Sequence, residues 1–158
     1  MPIPEFVARL RERVGHDLLW LIGVTAVVEH DGRILLARPV GSTEWTAVSG
    51  IVEPGEHPAV AAVREVLEET GVVAEIERLA SVSVTAEIVY PNGDRSQYTD
   101  LCFRCRYVSG VAHVADDESD DVGWFAIDDL PPLRASAALR IRHALSADDQ
   151  PALDLTVA

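Results

Sequence analysis

Three glutamates, Glu65, Glu68 and Glu69, stand at i, i+3 and i+4 of a segment that starts at His57-Pro58 and stops at Gly71. Proline suits a first helical position and glycine a position just past the last, so the spacing predicts a helix between them. At roughly 100° per residue, the three carboxylates project from one side within about a third of the circumference. Val60, Val63, Val66, Leu67 and Thr70 are expected on the opposite side, packed on a core. Like charges so placed cost a helix a few tenths of a kcal/mol each, and only Arg64, paired with Glu68, relieves them. Crowded hard oxygen donors suit Mg²⁺ or Mn²⁺.

The helix belongs to a longer pattern. Gly50, Glu56, Arg64, Glu65, Val66, Glu68, Glu69, Gly71 and Val72 read as Gly, five residues, Glu, seven residues, Arg-Glu, an aliphatic, one residue, Glu-Glu, one residue, Gly and an aliphatic. This resembles the signature box of the Nudix hydrolases, matched at every specified position without a gap. One departure precedes it: many relatives carry Pro-Gly-Gly there, whereas this chain has Val48-Ser49-Gly50.

The resemblance implies an α+β fold, an α/β/α sandwich with a mixed sheet, here preceded by a short extra helix. It implies a divalent-metal-dependent pyrophosphohydrolase that cleaves a nucleoside diphosphate linked to another moiety. A nucleoside triphosphate pyrophosphatase of the sanitising type is the rival activity. A non-catalytic nucleotide sensor is the rival class, and such relatives usually have an eroded box. By this resemblance Glu65, Glu68 and Glu69 are metal ligands, joined by the backbone carbonyl of Gly50, and Mg²⁺ (or Mn²⁺) is the cofactor. Arg64 holds a box glutamate in place, and Glu56 supports the loop–helix geometry. The general base is either a box glutamate such as Glu65 or Glu118, which precedes Val122-Gly123-Trp124-Phe125 as in relatives that carry a distant base. Tyr90 lies near the place where relatives acting on dinucleoside polyphosphates carry a tyrosine, and no proline marking ADP-ribose specialists stands near Glu87. Trp45, Tyr98 and Phe103 are candidates to stack a base, while Trp124 and Phe125 read as core.

At 158 residues and 48% hydrophobic, the chain is long enough for one globular core. Residues 1–17 read as a helical extension, 18–147 as the hydrolase domain and 148–158 as a tail. The 26 acidic and 13 basic residues leave a net charge of −13, which argues against binding a nucleic acid polymer through its phosphates. A small nucleotide remains compatible, because bound cations can supply positive charge locally. No signal sequence or apolar run long enough for a membrane span is read from the chain, so the expected compartment is the cytoplasm.

Along the chain, Pro4–Val14 reads as an amphipathic helix that either covers an edge of the fold or contacts a second subunit in a homodimer. Leu18–Glu29 and Ile34–Ala37 read as a hairpin around Asp31-Gly32. Trp45–Val48 reads as a short extended piece. Val72–Glu77, Leu79–Tyr90 and Gln97–Tyr107 read as strands, the last two joined at Pro91-Asn92-Gly93-Asp94. Asp116–Asp121 reads as an acidic loop before a strand at Val122–Ile127, and Leu133–Leu145 as the final helix. Cys102 and Cys105 form a C-x-x-C, but on a strand residues three apart face opposite ways, so they are expected to be ordinary strand cysteines.

Overall fold

A computed structural model describes residues 3–157. The elements are α1 (Glu5–Val14), β1 (Leu19–His30), β2 (Arg33–Pro39), β3 (Val48–Ile51), α2 (Pro58–Thr70), β4 (Val72–Val84), β5 (Ile88–Val89), β6 (Arg95–Gly110), β7 (Ser119–Ala126), α3 (Ala135–Leu145) and β8 (Ala152–Val157). The strands form one mixed sheet in the order β7-β2-β1-β6-β4-β8, with β3 on β1 and β5 on β6. β1 and β6 run parallel, as do β4 and β8, and the remaining pairs are antiparallel. The Asp31-Gly32 hairpin forms as the sequence predicts, with positive φ at both residues.

Alternation along β1 and β6 builds two cores. Val24, Ala26, Val28 and Phe103 face α2, where they pack on Ala62 and Val66. Val27 and Cys102 face α3, against Ala137 and Ile141. Cys102 and Cys105 therefore lie on opposite faces, each a buried free thiol whose pKa burial pushes up to about 12. That placement rules out a local disulfide or shared metal between them.

The buried flank of α2 differs from the sequence expectation. Ala62, Val66, Glu69 and Thr70 face inward, whereas Val60 and Leu67 are 55% and 50% exposed. The helix is rotated so that its acidic stripe begins at the core boundary: Glu69 is buried, Glu65 nearly so and Glu68 exposed. Full burial of Val66 contributes about 1.5–3 kcal/mol, and the alanines let the helix approach β3 closely.

Two further segments depart from expectation. The acidic run is not a free loop throughout, because β7 begins at Ser119 and pairs with β2. Asp120 and Asp121 there lie 3.5 and 3.8 Å from the Arg38 guanidinium. The segment read as a tail carries β8, which adds to the sheet beside β4. Its leucines, Leu153 and Leu155, stay exposed, so it lacks the buried alternating face that marks a strand in sequence.

The short N-terminal helix packs on its own chain. Val7 is buried against Leu21 and Ile51, flanked by Tyr98. None of the described helices is long and apolar enough to cross a membrane.

Candidate active site

His57 caps α2, its Nδ1 accepting from the Ala59 amide at 3.2 Å, and Pro58 opens the first turn. Gly71 ends the helix at φ 68°, in the left-handed region that favours glycine. The acidic face of α2 is thus fixed at both ends. Gly50, in the middle of β3 opposite Val24, lies directly against it: a methyl group at position 50 would overlap the Glu65 carboxyl group. Only glycine lets the backbone and that carboxylate come so close. Gly50→Ala is therefore expected to displace Glu65 and lower kcat by about 10²-fold, with the circular dichroism spectrum retained.

Arg64 organises the remaining carboxylates. Its Nε and Nη2 donate to Glu56 at 2.9 and 3.0 Å, a two-pronged contact, while Nη1 donates to Glu65 and Glu68 at 2.9 Å each. The Arg64 contact with Glu68 expected from the sequence is present, but Glu56 is the principal partner. Its hydrogen bonds to Arg64 hold the Glu56 pKa below the ordinary value.

The loop between β6 and β7 runs beside the C-terminal end of α2. The amides of His113 and Ala115 donate to the carbonyls of Thr70 and Glu69, both at 3.1 Å. This path brings Glu118 into a cleft of about 1010 Å³ that Gly50 and Glu69 also line. Burial, then the charges of Glu118, Glu65 and Asp116, raise the pKa of Glu69 to about 9. Burial also raises Glu65 to about 7, against the lowering influence of Arg64. Burial raises Glu118 as well.

Added positive charge would relieve this crowding of carboxylates. Among the described residues, however, no three carboxylate, histidine or cysteine side chains converge closely enough to hold an ion as they stand. Arg64 holds the Glu65 and Glu68 carboxylates on its own Nη1. The donor set itself fits a hard divalent cation: carboxylates of Glu65 and Glu69 beside the Gly50 backbone, with Glu68 exposed on the same helix.

The pH dependence follows. Glu65 and Glu69 titrate above the ordinary 4.5 when folded, so between about pH 4.5 and 9 the folded chain binds more protons than the unfolded one. Without cations, stability then falls as pH rises through that window. A divalent cation bound at these carboxylates would displace those protons, so any cation-induced rise in Tm is expected to be small at pH 5. By pH 8 it should reach several degrees, at about 2–4 °C per kcal/mol; differential scanning calorimetry with and without metal checks this.

Of the other residues singled out in the sequence, Tyr90 lines the cleft, its hydroxyl 2.8 Å from that of Tyr98. Trp45 does not line it. Its ring packs edge-on against Phe125 at 4.6 Å, beneath the Arg38 guanidinium, and its backbone bonds Pro132 and Arg134. Phe103 is in the core. Trp124 packs on Tyr107 and His30. Sequence reasoning missed the buried Asp100, which takes a hydrogen bond from Thr25 Oγ1 at 3.0 Å and lies 2.9 Å from Arg140 Nε at the cleft floor. An acid in the middle of an apolar strand was the available signal.

The chain matches the family model of the NUDIX domain over residues 20–146. It is 34% identical over 120 residues to a MutT-like protein of Streptomyces ambofaciens, covering 75% of this chain and 72% of that one. It is also 34% identical over 122 residues to the NAD-capped RNA hydrolase NudC of Pseudomonas aeruginosa, of which it spans 40%. Among solved structures, a UDP-X diphosphatase superposes with a TM-score of 0.66 at 28% identity, covering 95% of this chain and 74% of that one. A mutator MutT protein from Bacillus halodurans shares the fold, with a TM-score of 0.70 at 20% identity and coverage of 84% and 86%. With its complete box held against β3 and flanked by a mixed sheet, this chain belongs to the Nudix hydrolase family.

Proposed function

We propose that the protein is a divalent-metal-dependent pyrophosphohydrolase that cleaves a nucleoside diphosphate linked to another moiety. The observation that carries this reading is the crowding of buried Glu69 by Glu65 and Glu118, where Gly50, Glu69 and Glu118 line one cleft. Bound there, a divalent cation would neutralise diphosphate oxygens and lower the pKa of a coordinated water. Glu65 and Glu69 would hold it with the Gly50 carbonyl and Glu68, and Arg64 would position Glu65 without touching substrate. Glu118, on the opposing loop, is assigned as the general base, its carboxylate oxygen accepting the proton of the attacking water. Its burial raises its proton affinity, which suits that role.

The names of relatives support the class of linkage. One solved neighbour is called a UDP-X diphosphatase and another, from Streptococcus suis, an ADP-ribose pyrophosphatase, the latter at 22% identity and so a guide to fold alone. A second reading, a nucleoside triphosphate pyrophosphatase, draws on the MutT-like relative, which this chain spans to 72%. The net charge of −13 argues against an RNA polymer as the preferred substrate.

A panel of ADP-ribose, diadenosine polyphosphates, NADH, NAD-capped RNA and 8-oxo-dGTP, with Mg²⁺ and chromatographic detection of the monophosphate products as readout, separates these readings. Faster turnover of the linked diphosphates is the expected result. Preference for 8-oxo-dGTP would favour the rival, and no turnover with any of them would overturn both.

A further inference from the structure

We infer that α1 is part of the substrate site: with Tyr90 and Tyr98 it forms a compartment for a nucleobase, beyond the diphosphate position. This inference rests on the reading of the acidic pocket as the diphosphate site. α1 lies outside the residues that match the family model, and from sequence it had only the roles of edge cover or subunit contact.

The register of the sheet leads from the acidic pocket to this helix. Gly50 precedes Ile51 on β3, and Ile51 packs on Val7 of α1. In the same row Ile51 pairs with Gly23, and Gly23 with Asp100. Leu21 pairs with Tyr98 one step along, and both contact the Val7 cluster. The cleft lined by Glu69 and Glu118 continues over this floor. Its wall there is made by Ile3, Pro4, Val7 and Arg11 together with Tyr90 and Tyr98. Gly23 adds no side chain of its own to the floor, where Asp100 and Tyr98 lie alongside it.

The wall is held rigidly. Arg11 Nη2 donates to the Arg95 carbonyl at 2.6 Å and to Ser96 Oγ at 3.1 Å, and Nη1 donates to the Asp17 carbonyl at 2.5 Å. These bonds tie α1 to the start of β6. The hydroxyls of Tyr90 and Tyr98 lie 2.8 Å apart, so the two phenols brace one another. Ile3, just ahead of the helix, is 53% exposed along the cleft, an apolar side chain open to a ligand there. Aliphatic and phenolic side chains, with Arg11, Asn92 and Ser96 beside them, take a flat heteroaromatic ring, whose faces are apolar and whose edge carries hydrogen-bonding groups.

The test compares α,β-methylene-ADP, which carries a base, with methylenediphosphonate, which does not. Both resist hydrolysis, and titration calorimetry with Mg²⁺ gives each Kd. The native chain should bind the nucleotide at least tenfold more tightly. In a variant lacking residues 1–15, and separately in Tyr90→Ala, that ratio should fall to within threefold. The single substitution covers the case in which the truncated chain fails to fold. A general loss of structure would weaken both ligands together, whereas loss of a base compartment changes their ratio. An unchanged ratio in Tyr90→Ala and in any folded truncation overturns the inference, as does a native chain without preference for the nucleotide. Preferential nucleotide binding without turnover of any panel substrate would remove the hydrolytic reading and leave the base compartment standing.

Discussion

Glu69→Gln is expected to lower kcat by on the order of 10³-fold while raising the Tm of the cation-free protein. The two effects have one cause. Glu69 is 6% exposed and shares its surroundings with Glu118, Glu65 and Asp116. Without a cation, its charge is opposed by burial and by its neighbours. An amide of the same shape removes that opposition, so Tm at pH 8 should rise by at least about 2 °C. The same change removes an anionic ligand where several kcal/mol of charge stabilisation are required, and each 1.36 kcal/mol is tenfold in rate. Steady-state kinetics and calorimetry on one preparation read both. A variant that lost activity and stability together would indicate a structural role for Glu69.

Arg64→Ala should produce the opposite pairing, with activity and stability falling together. Its guanidinium is the common partner of Glu56, Glu65 and Glu68. Removing it leaves the largely buried carboxylates of Glu56 and Glu65 without that cation. Breaking a buried pair by deleting one partner costs about 3–5 kcal/mol, and partial exposure of Arg64 reduces this to about 2–4 kcal/mol. Urea denaturation measures the loss. Freed from Arg64, Glu65 is no longer oriented, and kcat should fall by about 10–100-fold, the usual effect of losing a group that orients a ligand. Arg64→Lys should recover little of either, because one ammonium cannot span three carboxylates.

Much of the fold was legible because its signals are local. The Asp31-Gly32 turn, the Pro58 start and Gly71 stop of α2, and the period-two separation of Cys102 from Cys105 depend on backbone geometry that neighbouring residues dictate. The resemblance to the Nudix box, not local backbone geometry, brought Gly50 together with the α2 glutamates. What escaped depends on tertiary packing. The rotation of α2, which buries Glu69 and exposes Leu67, is set by the sheet it rests on. Trp45 carries the composition of a base-stacking residue, but Phe125 and Arg38 from other elements claim both of its surroundings. β8 has no buried face to betray it, and its partner β4 lies far back in the chain. The tie between α1 and the start of β6 through Arg11 has no local sequence signature at all.

Anomalous diffraction from crystals soaked in Mn²⁺, with titration calorimetry on the same protein, decides whether the α2 stripe is a cation site. A manganese peak bonded to carboxylate oxygens of Glu65 and Glu69 beside the Gly50 carbonyl, absent from Glu69→Gln crystals, is the expected result. Crystals with nucleotide present and no manganese beside α2, or with the ion held elsewhere in the chain, would contradict it.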